Sequence, residues 1–340
     1  MISRRKFISQ LSSMTASSIA FPMLFSKDDN KIMTVNGWIG SDQIGFSLTH
    51  EHILVDFIGA DKVNPSRYNA DEVFKIALPK LAALKERGCK TLMECTPAYL
   101  GRDVRLLKKL SEASGLNIVT NTGYYGAVNE KYFPAHVYIE AANEIAARWI
   151  HEWKNGIEGT DIKPGFIKSG VDKYPLSVVQ KKIVEAAAIT HLQTGLSIGI
   201  HTGDGKAAME ELKILQANNV SPEAWIWIHA QNEPNRDFHF QAAKAGGWVS
   251  FDGVNTQSIS DCISFLKDMK KENLLNHVLL SHDSGWYHVG EPGGGTYNDY
   301  NTIADKLLPA LKENGFTPKE IDLLFITNPA KAFAVNVRRK

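Results

Sequence analysis

Six residues of this chain combine metal-binding chemistry with a common setting: His50, His52, Lys168, His201, His229 and Asp283. Each closes an apolar run ahead of loop-like residues, as in "SIGIH" before "TGDG", "IWIH" before "AQNE" and "LLSHD" before "SGW". In "SLTHEHILVD" two histidines stand one residue apart, and side chains at i and i+2 of a strand share a face. His50 and His52 are therefore aimed at one spot. Four histidines and a carboxylate suit a divalent transition ion such as zinc, manganese or cobalt. Neutral imidazoles lose little on burial and gain a metal–nitrogen bond, whereas buried unpaired charges are costly. Singly, each residue is ordinary: a strand histidine is usually structural, a strand-end lysine solvated, an aspartate a cap. Their recurrence on one rim is what argues for a site.

That rim needs a frame. From about residue 33 onward, short β-rich runs alternate with longer amphipathic stretches. The runs are "SLTHEHILVD", "CKTLMECT", "LNIVTNTG", "PGFIKSG", "LSIGIHTG", "WIWIHA", "GGWVSFDG" and "HVLLSHDS". Between them, segments such as "DEVFKIALPKLAALKERG" and "RDVRLLKKLSEASG" place apolar residues at helical spacing and end on glycine. Strict βα alternation implies a parallel sheet, and eight units is the number of a closed barrel. The expected fold class is α/β, a single-domain (β/α)8 TIM barrel whose C-terminal strand ends carry the site. An open doubly wound sheet is the competing arrangement.

Composition narrows the function. The chain has 340 residues, 44% of them hydrophobic, with 38 basic and 37 acidic side chains. So even a balance argues against a polyanion-binding surface, and nucleic acid is not an expected partner. Cys89, Cys95 and Cys262 form no CxxC pair and read as small buried residues rather than a disulfide framework. The N-terminus, "MISRRKFISQLSSMTASSIAFPMLFS", sets Arg4 and Arg5 ahead of a Ser/Ala-rich apolar stretch, the layout of a twin-arginine export signal. Residues 1–32 are thus expected to be signal and short linker, 33–340 the barrel domain, and the mature protein periplasmic. No later run reaches the roughly 18 apolar residues of a membrane span.

The ordered set "THEH", "GFIKSG", "GIHTG", "WIHAQ" and "LLSHD" resembles the phosphotriesterase family of the amidohydrolase superfamily over about residues 33 to 335. "TPAYLGRD" and "TGYY" resemble loops of the same family. The resemblance implies a binuclear centre. His50, His52 and Asp283 would hold the more buried ion, and His201 and His229 the outer one. Lys168, carboxylated by CO2, would bridge the two divalent ions, expected to be Zn2+ with Mn2+ or Co2+ as alternatives. Burial beside two dications disfavours an ammonium, so a neutral amine is open to CO2, and the carbamate is an anionic bidentate ligand. The implied reaction is attack of a metal-bridging hydroxide on a lactone or carboxylic ester, with phosphotriesters as side substrates. Asp283 would carry the proton away, and the absence of a G-x-S-x-G elbow supports water as nucleophile.

Selectivity is expected in the loops at 251–261 and 283–301. Tyr125, Trp286, Tyr287 and His288 are the candidate substrate contacts, Tyr297 a further pocket wall, and Gly293–Gly295 a hinge for a lid. His136, His151, His191, His239 and His277 read as packing or surface residues, and His282 should face away from the ions. Two other classes stay open: a phosphodiesterase resembling the superfamily's DNases, and a non-catalytic binding protein on the same barrel. The first would set a carboxylate where Lys168 stands; the second would have lost a ligand, and all six are present. A homodimer is compatible with the sequence.

Overall fold

The computed structural model describes residues 30–340. The export segment expected at the N-terminus falls, through residue 29, outside the described residues. The barrel domain starts slightly earlier than expected: Lys31–Thr34 is already a strand, paired antiparallel with Gly37–Gly40, and Ile32 is fully buried. Residues 31 and 32 belong to this hairpin, not to a linker.

Eight parallel barrel strands follow, each where an apolar run predicted one. They are Ser47–Glu51, Thr91–Glu94, Asn117–Val119 (resumed at Asn121–Thr122), Phe166–Gly170, Ser197–His201, Trp225–Ile228, Trp248–Phe251 and Val278–Leu280. The first three pair in order, and the third through eighth pair in order, so the ladder breaks only at Thr120 and at the seam between strands eight and one. Backbone bonds close that seam: Asp283 N–H donates to His50 O at 3.1 Å and His52 N–H to Ser284 O at 2.9 Å. The closed barrel, not the open sheet, is the fold.

Helices including Ala70–Glu86, Val104–Ser114, Val178–Thr194, Gly205–Ala217 and Ile259–Lys271 surround the sheet. The first four start at side-chain caps: Asn69, Asp103, Ser177 and Asp204 each accept a backbone N–H of the first turn. The apolar residues split into two clusters. Leu48, Leu92, Ile167, Ile198 and Trp227 face the helices, while Met93, Val119, Phe166, Ile226 and Leu279 fill the barrel interior. Ile32 and Ile44 near the hairpin and Phe333 near the C-terminus pack into the same interior cluster. With the interior packed by these side chains, polar groups gather at the C-terminal ends. No helix among the described residues is long and apolar enough to cross a membrane.

One irregularity sets the site. On strand one Leu48 pairs with Leu92 but Glu51 pairs with Glu94, so strand one carries one extra residue between them. Such a bulge reverses the alternation. Leu48 faces the helices, and without the bulge His50 and His52 would follow it outward; with it they turn inward.

Candidate metal centre

The strand ends bring the expected ligands into one ring. His50 Nε2 lies 3.2 Å from His52 Nε2, and Asp283 Oδ1 lies 3.5 Å and 3.2 Å from them. His229 Nε2 is 4.0 Å from Asp283 Oδ2, and the His201 and His229 ring centres are 4.4 Å apart. Lys168 is buried, its Nζ lying 5.2 Å from the Tyr125 ring centre with one hydrogen bond, to Ser169 O at 3.4 Å. His229 and Asp283 both have positive φ, 64° and 57°, a conformation that side-chain-bearing residues populate rarely.

Hydrogen bonds on the far side of each ring settle which nitrogen faces inward. Asp252 is fully buried and takes His50 Nδ1 at 3.1 Å on one oxygen and His229 Nδ1 at 2.6 Å on the other. A carboxylate only accepts, so both Nδ1 atoms carry the proton. The Thr96 hydroxyl donates to Leu54 O at 3.0 Å and therefore accepts from His52 Nδ1 at 2.8 Å. In their neutral form the three imidazoles thus present lone pairs at Nε2. In the His50–His52–Asp283 trio, three acceptor atoms face one another with no proton between them, and Asp283 Oδ1 has no hydrogen-bond donor. Such a cluster repels itself unless a cation stands in it. A tetrahedral ion with bonds of about 2.0–2.1 Å sets its ligand atoms roughly 3.3 Å apart, matching this triangle. The residues fit a divalent ion.

Electrostatics point the same way. Burial, joined by the Lys168 charge, holds His52 well below the usual imidazole range, and burial with His229 does the same for His201. Burial lowers His50 against the opposing pull of Asp283 and Asp252. At His229 burial is outweighed by Asp252, which raises it; the same contacts, from His229 and His50, overcome burial and hold Asp252 well down. Burial pushes Asp283 up, against His50 and His229. Burial also lowers Lys168, although Cys95 and Asp283 oppose it. The downward shifts at His50, His52, His201 and Lys168 favour the neutral donors a metal takes, while His229 and Asp283 are shifted toward their protonated forms.

The mouth is aromatic. Trp286 stacks on His52 with ring centres 3.9 Å apart, and Phe57 lies 5.8 Å from both Trp286 and His288. Tyr132 joins Phe57 to Tyr125, whose hydroxyl is 3.1 Å from His201 Nδ1. Tyr125, Trp286 and His288 are therefore at the site as expected. Tyr287 is not: it pairs with Leu54, and its hydroxyl donates to Glu72 Oε1 at 2.9 Å on the helix side. Alternation explains it, since 286 and 288 share a face that 287 cannot. Tyr297 is also no pocket wall; its hydroxyl meets that of Tyr300, which bonds His52 O. Gly294 packs on the Tyr287 ring within a turn at Pro292–Gly294. His282 faces away from the ring, as expected, against Glu51.

Phe57, Tyr132, Thr96 and Asp252 were missed from sequence. Asp252 had a legible signal, because it ends the seventh apolar run, "WVSFD", as His201 ends the fifth. Thr96 likewise ends the second run, "CKTLMECT", whereas Phe57 and Tyr132 lie in loops, where no period reveals which way a side chain turns.

Comparison with known proteins agrees with this architecture. The phosphotriesterase family model matches residues 30–333. The chain is 29% identical to the phosphotriesterase homology protein of Escherichia coli, over 86% of this chain and 99% of that one. It is 28% identical to an aryldialkylphosphatase of Saccharolobus solfataricus, over 87% of this chain and 97% of that one. Among solved structures, a mutant of a PTE-like lactonase from Deinococcus radiodurans superposes with a TM-score of 0.80 at 26% identity, covering 89% of this chain and all of that one. With the family model spanning nearly the whole barrel and its relatives aligned end to end, the chain belongs to the phosphotriesterase family.

Proposed function

We propose that this protein is a binuclear metal-dependent hydrolase of neutral esters that prefers lactones to phosphotriesters. The triangle of His50 Nε2, His52 Nε2 and Asp283 Oδ1 carries the metal reading. His201 and His229 would hold a second ion, and Lys168, as its carbamate, would supply an anionic oxygen ligand. Zinc suits this nitrogen and oxygen donor set. Bound divalent ions polarise the scissile oxygen and acidify water. Asp283, its carboxyl raised by burial and its side chain 27% exposed, takes the proton released when the ester is attacked.

The aromatic mouth supports the substrate class. Phe57, Tyr132 and Trp286 offer apolar faces, and the Lys131 ammonium is turned back onto Phe57 O at 2.7 Å. A planar lactone ring can lie along the Trp286 indole, whereas a tetrahedral phosphotriester must place three substituents at once. Relatives are named for action on phosphate esters, lactones and N-acetyltaurine, so hydrolysis is the chemistry they share. Metal analysis of purified protein with a panel of lactones, carboxylic esters and phosphotriesters tests this. Higher kcat/KM for phosphotriesters across several members would overturn the lactone preference, and activity without divalent metal would overturn the whole reading. Export by the twin-arginine route is part of the proposal; Arg4→Lys with Arg5→Lys should strand the protein in the cytoplasm.

A further inference from the structure

Between the two histidines of strand one stands Glu51, fully buried and outside the ligand ring. Its carboxylate accepts four hydrogen bonds, all from one short stretch of chain beyond strand eight. Oε1 accepts from Ser281 Oγ at 2.7 Å, His282 N at 3.0 Å and His282 Nδ1 at 2.7 Å. Oε2 accepts from Ser284 N at 2.8 Å. The two oxygens therefore grip the backbone N–H groups on either side of Asp283, whose own N–H goes to His50 O. Ser281 Oγ in turn accepts from His50 N at 2.9 Å. This clamp sits at the seam the regular ladder does not cross. It also holds Asp283 in its left-handed conformation, which costs free energy that the clamp must offset.

We propose that Glu51 is a positioning residue of the metal centre: it fixes the turn at 282–284 so that the Asp283 carboxylate meets His50 and His52. The inference rests on the metal reading above. His282 extends the clamp outward, since with Nδ1–H given to Glu51 its Nε2 accepts from Ile303 N at 2.9 Å. The C-terminal helical segment beginning at Ile303 is thereby tied to the turn that carries the ligand.

Glu51→Gln keeps the shape but replaces one acceptor oxygen with a donor that faces an N–H. The test reads Co2+ bound to the full-length metal-free protein, through affinity and the visible absorption bands that report ligand geometry. Glu51→Gln should bind Co2+ on the order of 10–100-fold more weakly, as loss of an outer partner of a ligand does, with altered bands. Reconstituted with saturating metal, it should lose kcat while KM stays within about threefold of wild type. Glu51→Asp, retaining both acceptors, should recover part of each. A folded Glu51→Gln with wild-type Co2+ affinity, bands and kcat would overturn the proposal and leave a purely structural carboxylate. Should Glu51→Gln not fold, Ser281→Ala serves: a several-fold loss of Co2+ affinity supports the clamp and no change refutes it. Wild-type protein that binds no Co2+ would fail the metal reading itself, a separable result.

Discussion

On one side of the ring, His50, His52 and Asp283 converge within 3.5 Å, and each is held from behind by a buried partner. Asp252 holds His50, Thr96 holds His52, and the Glu51 clamp holds the Asp283 turn. On the other side Asp252 holds His229 as firmly, at 2.6 Å, but the remaining contacts are looser. His201 Nδ1 lies 3.1 Å from the Tyr125 hydroxyl, His229 Nε2 stands 4.0 Å from the nearer Asp283 oxygen, and Lys168 has one long hydrogen bond. A ligand fixed in advance loses little entropy when it binds an ion, whereas a loose one must be ordered by the ion itself. The trio should therefore retain its ion more tightly than the pair, whose completion waits on Lys168.

The strongest test removes the residue on which the looser half depends. Lys168→Ala should lose more activity than any other single change, above the order of 10²-fold typical of a proton-transfer residue. It should retain about one ion per chain by metal analysis, and a small carboxylic acid added at millimolar concentration should restore part of the rate. Two retained ions and near-normal turnover would show that the second ion does not depend on Lys168. Asp283→Asn comes next: kcat should fall on the order of 10²-fold or more with a smaller change in KM, and metal content should fall only in part.

Asp252→Asn touches both halves, because its two oxygens reach one histidine of each. An amide has one acceptor oxygen, so one imidazole loses its partner and its fixed tautomer. Metal retention in a chelator titration should weaken on the order of 10–100-fold for the ion whose histidine loses the oxygen. Loss confined to one ion would show which histidine keeps the oxygen. The smallest effect separates neighbours in the chain. Tyr287→Phe should leave kcat/KM within about twofold and lower stability by about 1 kcal/mol through the bond lost to Glu72, read by thermal unfolding. Trp286→Ala, which uncovers His52, should change KM and substrate preference more than Tyr287→Phe does.

Much of this site could be read before folding was known, and the reason is local. A strand that crosses a packed barrel interior must be apolar until it reaches the rim, so a histidine, lysine or aspartate closing such a run marks the rim by itself. His201 after "SIGI" and Lys168 after "GFI" are legible for that reason. Asp252 obeyed the same rule. The family's ordered motifs then specified which rim residues act together.

Tertiary structure decided what local rules cannot reach. Spacing alone puts His50 and His52 on one face, but whether that face is inside depends on the bulge between Leu48 and Glu51, a matter of register against strand two. Tyr287 faces Glu72 because its backbone pairs with Leu54, a partner more than two hundred positions away. Glu51 reads as an awkward charge in an apolar strand until the donors at 281–284 are brought across the seam to meet it. Hydrogen-bond partners and register are properties of pairs distant in the chain, so residue type and period determine the candidates, and only closure of the barrel determines their geometry.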